Sequence, residues 1–327
     1  MSRCPLPRRT TERGFVLVNA LILVAAMAAI SALLLTRAET GRARLEAGQD
    51  AAQLHLYLEG GEAFAMTLLN ADLRAGALDH HGEAWAQAAY NVPLDRGRVR
   101  GGLTDLQGLF NLNWLADPND VAAQAAFDRL VERIGLPQAK GRAIRAFLQP
   151  GGPDNRQAYA QQDPPSDPVG GALLMLDQLL DIPGMETRDL ERLAQVATVL
   201  PGDSTLNVNT APRVVLSSVL PGHSSSQIDG LLQARRTDPF PSGEAFADVA
   251  GFPSAEQEQE EVQTGGAALG VTPLIKRARL SASSKWFQLD AVAQLGMRQT
   301  SRRTVLLRLP APGGVIVSWR VTEGPSL

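Results

Sequence analysis

The stretch that most constrains this chain is Phe15 to Leu35, FVLVNALILVAAMAAISALLL, 21 residues in which only Asn19 and Ser31 are polar. At the rise of an α-helix it spans roughly 30 Å, the thickness of a bilayer core. The apolar core of a secretory signal is shorter, about 7–15 residues. Arg3, Arg8, Arg9 and Arg13 precede the stretch, and Arg37, Glu39, Arg42, Arg44 and Glu46 follow it. Such flanks suit a membrane span better than a buried helix. The excess of Arg on the N-terminal side places that end in the cytoplasm.

The junction is more specific than the hydropathy. Arg13-Gly14-Phe15 sets a Gly and then an aromatic at the start of the apolar run, behind a short basic leader. A secretory signal would carry its small-residue cleavage site after the apolar core. Here the processing site lies before it, so the anchor is retained. This pattern resembles the class III signal of type IV pilins and pseudopilins. The resemblance implies a prepilin peptidase that cuts between Gly14 and Phe15 and methylates the new N-terminus at Phe15. It also places everything after Leu35 in the periplasm of a bacterium, as a single-pass inner-membrane protein.

One position departs from the common pilin pattern. Most members carry Glu at the fifth mature residue, here Asn19. By resemblance, that carboxylate pairs with the N-terminal amine of a neighbouring subunit inside the membrane, and a neutral amide cannot replace it. The K-type minor pseudopilin of the type II secretion system is the member that typically lacks this Glu.

Composition bounds the alternatives. The 327 residues are 44% hydrophobic and 20% charged, ordinary for a globular protein. Formal net charge is −3. Residues 1–14 hold four Arg and one Glu, so their removal leaves 27 basic and 33 acidic residues, a net of −6. A nucleic-acid binder, whose affinity rests on neutralised phosphates, is disfavoured. The single Cys, Cys4, lies in the leader, so the mature chain has no disulfide and no Cys-based metal or catalytic site. The motifs G-x-S-x-G, P-loop and H-E-x-x-H do not occur, and the expectation is a protein that is not an enzyme.

Along the chain, the helix is expected to continue without Pro to about Ala77. Leu54, Tyr57, Leu58, Phe64, Leu68 and Leu69 recur at helical spacing, and Gly60-Gly61 marks a weak point. Residues 78–97 read as loop with a short helix near Glu83–Tyr90. His80-His81 read as loop histidines rather than a zinc site, because no second ligand cluster stands at the right spacing. Val99, Leu103, Phe110 and Leu112 suggest two short strands. On residues alone, Asp105 and Gly108 are turn residues.

Between Asp117 and Thr272 the texture changes to short helices broken at Gly135-Leu136-Pro137, Ile182-Pro183-Gly184, Leu220-Pro221-Gly222 and Gly251-Phe252-Pro253. Leu206 to Pro212 reads as a helix start, with Asn209 or Thr210 as the cap and Pro212 in the first turn. The C-terminal part is β-rich over 276–280, 285–293, 303–309 and 315–321, with a turn at 310–314.

Three segments point to the K type: Asp105–Asn113, Leu206–Pro212 and Ser283–Phe287, which resemble family hallmarks. The resemblance implies an α+β fold. A pilin-like long N-terminal helix packs on a small antiparallel sheet, and a large all-helical domain (SAM-like, helix-hairpin-helix-like) is inserted in that sheet. The expected divisions are leader 1–14, transmembrane helix 15–35, stalk helix 36–77, first part of the α/β domain 78–116, inserted helical domain 117–272 and last strands 273–327. The implied role is a minor pseudopilin at the tip of the periplasmic pseudopilus. It would help initiate assembly, with I- and J-type minor pseudopilins, the prepilin peptidase and secreted substrates as partners.

The helical unit also resembles helix-hairpin-helix DNA-binding modules, through VNTAPRVVLSSVLPG and DPFPSGEAF. The rival reading is therefore a membrane-anchored DNA receptor of the competence type. Gly222 is followed by His223, Ser224, Ser225 and Ser226, with no cation for phosphate, and only the first hairpin, with Lys140, Arg142 and Arg145, is basic. The Pro-rich segment 150–169 carries Asp154, Asp163 and Asp167, weak candidates for the calcium associated with the K family's helical insertion. Calcium wants six to eight oxygens, and this segment supplies few. No other cofactor is expected.

Overall fold

The computed structural model describes residues 13–87, 89–253, 274–310 and 312–326. The chain divides into two units, Met1–Leu56 and Tyr57–Leu327. Helix α1, Arg13–Ala75, runs 63 residues without a break. Its composition explains this: Ala and Leu dominate, and the first Pro after the leader is Pro93. In the first unit the apolar run is exposed, with Phe15 at 70% and Leu21 at 71%. A window within it reaches a mean hydropathy of 2.5 with none of it buried, long and apolar enough to cross a membrane.

In the second unit, α1 presents Leu58, Ala65 and Leu69 on one buried face, about two turns and then about one turn of helix apart. Gly61 lies on that face. A Cβ there would stand 3.2 Å from both Tyr90 Oη and Val99 Cγ2, so this glycine permits close approach, and the helix is continuous where a weak point was expected. Glu62 is also buried, and accepts from Thr304 Oγ1 at 3.0 Å and pairs with Arg320 at 3.1 Å.

The helix packs against one antiparallel sheet. After the short helix α2, Ala84–Gln87, come β1, Tyr90–Leu94, and β2, Gly97–Asp105. The sheet is completed by β7, Trp286–Leu295, β8, Arg298–Leu309, and β9, Gly314–Ser326, in the order β1-β2-β7-β8-β9. β2 pairs with β7 from Gly97↔Leu295 to Asp105↔Phe287, so the central pairing joins segments far apart in sequence. Along β7, Phe287, Leu289, Ala291, Ala293 and Leu295 alternate into the core. The strand β1 replaces the last turn expected of the short helix. Its Pro93 is accommodated because β1 is an edge strand, where a missing N–H is tolerated.

Between β2 and β7 lie α3, Val121–Arg133, α4, Gln138–Leu148, α5, Gln157–Ala160, α6, Thr187–Ala194, α7, Arg213–Val219, α8, Ser225–Thr237, and α9, Gly243–Val249. Phe110, Trp114, Phe127, Leu130, Ile144, Leu216 and Phe246 belong to their shared core. At all four Pro/Gly turns the glycine takes positive φ: Gly135 at 67°, Gly184 at 80°, Gly222 at 84° and Gly251 at 69°. That left-handed step lets each helix stop and reverse cheaply.

The region is not all-helical. β3, Phe110–Asn111, pairs in parallel with β4, Ala197–Thr198, and β5, Leu206–Asn207, pairs in parallel with β6, Leu280–Ser281. The strand expected at Phe110–Leu112 is thus only two residues long and gives way to a 3-10 helix, Leu112–Ala116. The one expected at 276–280 is largely a 3-10 turn, Arg277–Arg279. The Pro-rich segment contains α5, pinned by buried Tyr159 stacked on Phe147 at 6.2 Å. The end of the expected insertion, 254–272, lies outside the described residues, as does most of the leader.

Candidate functional site: a polar joint where three segments meet

The three segments singled out in the sequence converge on one buried polar cluster. Asp105 ends β2 and caps the 3-10 turn Leu106–Gly108 by accepting from Gln107 N–H at 2.8 Å. Its other oxygen accepts from Thr210 Oγ1 at 2.6 Å, Ser284 Oγ at 2.6 Å and Asn207 Nδ2 at 2.9 Å. Burial, offset by the hydroxyls of Ser284 and Thr210, raises this carboxyl above its ordinary range. Gln107 works in both directions. Its Nε2 donates to Thr205 O and Oγ1, each at 3.0 Å, and its Oε1 accepts from Lys285 N–H at 2.6 Å.

Asn207 extends the cluster, donating to Asp79 O at 3.0 Å and Ser284 Oγ at 2.9 Å. Asp79 follows α1 and is fully buried, and it accepts from Ser284 N–H at 2.6 Å. Arg308 of β8 grips Asp79 with Nη2, donates from Nη1 to Asp72 at 2.8 Å, and donates to Ser284 O at 2.7 Å. Its guanidinium lies over the Phe287 ring at 4.9 Å. Burial, opposed by Arg308, pushes the Asp79 carboxyl up to about 6. One cluster thus ties α1, the sheet and both ends of the helical region together. Each buried polar group has a partner, which is what makes such a network cohesive rather than costly.

The asparagines of the same segments act as splints. Asn111 accepts from Leu200 N–H at 3.1 Å and donates to Pro201 O at 2.9 Å. Asn113 exchanges bonds with Leu173, accepting its N–H at 2.7 Å and donating to its carbonyl at 2.9 Å. Asn209 does the same with Phe240, at 2.9 and 3.0 Å. This corrects the expected helix start. The cap of α7 is Pro212 with no side-chain bond, because Asn209 and Thr210 both reach away to other segments. Gly108 is a packing residue, since a Cβ there would meet Thr210 Oγ1 at 2.7 Å. The chemistry of the cluster is cohesion: the hydroxyls of Thr210 and Ser284 and the Asn207 amide all donate to one oxygen of a fully buried carboxylate.

Two family models described as type II secretion system protein K match residues 108–202 and 206–265. The type II secretion system protein K of Pseudomonas aeruginosa is 30% identical over 267 residues, covering 73% of this chain and 77% of that protein. The chain belongs to the type II secretion system protein K family. The protein K of Aeromonas hydrophila is 24% identical, across 93% of this chain and 95% of its own length. Among solved structures, a chain of the GspK-GspI-GspJ complex from enterotoxigenic Escherichia coli superposes with a TM-score of 0.69 at 19% identity, covering 86% of this chain and 99% of that one. The fold is therefore that of the K-type minor pseudopilins, and the two matched ranges leave only residues 203–205 between them, just before Leu206 and Asn207 of the joint.

In this K-type pseudopilin the other sequence-predicted residues fall as follows. Gly14, Phe15 and Asn19 lie in α1, with Phe15 and Asn19 exposed. Asp154, Asp163 and Asp167 are not gathered into a three-ligand group. Asp167 pairs with Arg156 at 2.6 Å, and the group of three acidic ligands among the described residues is Asp72, Asp79 and Glu83. His80 accepts from Gly82 N–H at 3.0 Å and the His81 ring meets Thr210 O at 3.1 Å, so neither is brought into a metal-binding group. In the first hairpin, Lys140 pairs with Asp189, and Arg145 with Asp128 at 3.2 Å. At the Gly222 turn, Ser224 caps α8 with Gln227 as its reciprocal partner. Asp72, Asp79, Glu83 and Arg308 escaped sequence reasoning. The alternating strand pattern around Arg308 was the only signal, and it does not name a partner 229 residues away.

Proposed function

We propose that this K-type minor pseudopilin forms the tip of the pseudopilus together with I- and J-type minor pseudopilins and helps to initiate its assembly. Its role is structural rather than catalytic. The observation that carries the reading is the helical insertion between β2 and β7, with seven α-helices among its described residues, on a chain whose fifth mature residue is Asn19. In a pilin filament the Glu of an entering subunit meets the amine of the subunit above. A subunit with Asn19 has no such charge to satisfy, so it can be first. Its own amine at Phe15 remains free for the Glu of the next subunit below. A helical domain of this size on the head would obstruct packing above but not below. The likeness to the solved GspK-GspI-GspJ complex supports the choice of partners. The Arg-rich leader supports a cytoplasmic N-terminus with the bulk of the chain in the periplasm.

The test is to make Asn19→Glu and, separately, to delete 117–272, then to follow pseudopilus number and length while the major subunit is overproduced. Both changes are expected to alter initiation. Unchanged number and length in both would overturn the reading.

A further inference from the structure

The five-stranded sheet ends in two unlike edges. β1 is five residues long and carries Pro93, and a short edge with a proline resists pairing with another chain. β9 is thirteen residues long and, among the described residues, has no strand on its other side. Between Gly314 and Thr322 its one charged residue is Arg320, and that guanidinium is turned to Glu62 of α1 at 3.1 Å. Its one proline, Pro325, stands next to its end. Val315 N–H is taken by Asn70 Oδ1 at 3.1 Å, so the open stretch begins at Ile316.

A bulge arranges the side chains of that stretch. Thr304 of β8 faces α1, where it donates to Glu62, so its neighbour Val305 faces away from the helix. Val305 stands opposite Trp319, but Leu306 stands opposite Val317, and Ser318 is the extra residue between them. Without it, Ile316 and Trp319, three residues apart, would lie on opposite faces. With it, Ile316, Trp319 and Val321 all lie on the face away from α1, opposite Leu307, Val305 and Arg303 of β8. Ile316 and Val321 are each 42% exposed, and Trp319 packs against Leu106, Leu109 and Val305. The helical insertion overhangs the same face: Leu174, 78% exposed, and Met175 line a hollow of about 360 Å³ together with Trp319. An apolar ledge therefore runs along the open edge.

We propose that β9 takes an extended segment of another polypeptide as a sixth strand of the sheet. A strand edge offers N–H and C=O groups in alternation, and an extended backbone is what matches them. The ledge adds a side-chain requirement. Every second residue of the incoming segment must be bulky and apolar, to lie beside Ile316, Trp319 and Val321, and the residues between them polar, on the side of Arg320 and Glu62. This docking is independent of the position of the subunit in the filament.

The experiment uses the full chain in lipid nanodiscs and an end-blocked peptide, Thr-Val-Thr-Phe-Thr-Val-Thr, with hydrogen exchange followed by mass spectrometry. The peptide is expected to slow exchange over 316–321 and to leave β1 unchanged. The same peptide with alternate amides N-methylated cannot pair with an edge, and should bind at least about tenfold more weakly. Ile316→Lys and Val321→Lys, at exposed positions of the ledge, should cause a similar loss, and Val92→Lys on β1 should cause none. Unchanged exchange over 316–321, equal binding of the N-methylated peptide, or an equal loss in Val92→Lys overturns the proposal. Protection of 316–321 that grows with protein concentration and needs no peptide would assign the edge to a second copy of this chain, and overturns it as well.

Discussion

Asn207 Nδ2 lies 2.9 Å from Asp105 Oδ2, a buried bond between residues 102 apart in the chain. It closes the helical insertion onto the sheet, and Thr210 and Ser284 close on the same oxygen.

Asp105 is therefore the residue whose loss leaves most donors unsatisfied. Asp105→Ala should cost about 3 kcal/mol or more, because four buried donors lose an acceptor at once and Gln107 N–H and the Ser284 hydroxyl lose the acceptor they hold here. Thr210→Val removes one donor and should cost about 1–2 kcal/mol. Denaturant unfolding of the detergent-solubilised chain measures both. An Asp105→Ala cost no larger than that of Thr210→Val would contradict the account of the joint.

Two glycines separate crowding from backbone conformation. Gly108→Ala places a Cβ 2.7 Å from Thr210 Oγ1 and 3.1 Å from the Thr210 carbonyl carbon, so the joint must shift, and a loss of about 1–3 kcal/mol is expected. Gly184→Ala meets open space but sits at φ +80°, and should lose about 1–2 kcal/mol from the left-handed backbone alone. Shortening Thr210 to Gly in the Gly108→Ala background should recover part of the first loss. It should do nothing for the second, as unfolding midpoints will report.

Much of the fold could be read in the residues, because period and punctuation are local. Phe127, Leu130 and Val131 before Gly135, and Ile144 after it, announce a helical hairpin by spacing alone, and the alternation of Phe287, Leu289 and Ala291 announces a strand. The joint was legible only as suspicious segments. Asn111, Asn113 and Asn209 have the composition of turns and caps, and nothing local tells that each bonds backbone 31 to 90 residues away. Arg308 reads as a solvent-facing strand residue until Asp79 is placed beside it. The strand β1 was missed within the expected loop at 78–97: its Pro93 is tolerated at an edge, and edges are a property of the assembled sheet.

Processing at the N-terminus has its own check. The mature chain is expected to begin at Phe15 carrying an N-methyl group, and Gly14→Val should leave the leader attached. Intact-mass analysis of membrane-extracted protein reads both. A mature N-terminus at any other residue would contradict the assignment.

The central claim is that this subunit sits at one end of the pseudopilus. The most direct measurement is electron microscopy of pseudopili, assembled while the major subunit is overproduced, with the present chain carrying a single gold-binding tag in its helical insertion. The account predicts one label at one end of each filament. Label distributed along the shaft would contradict it.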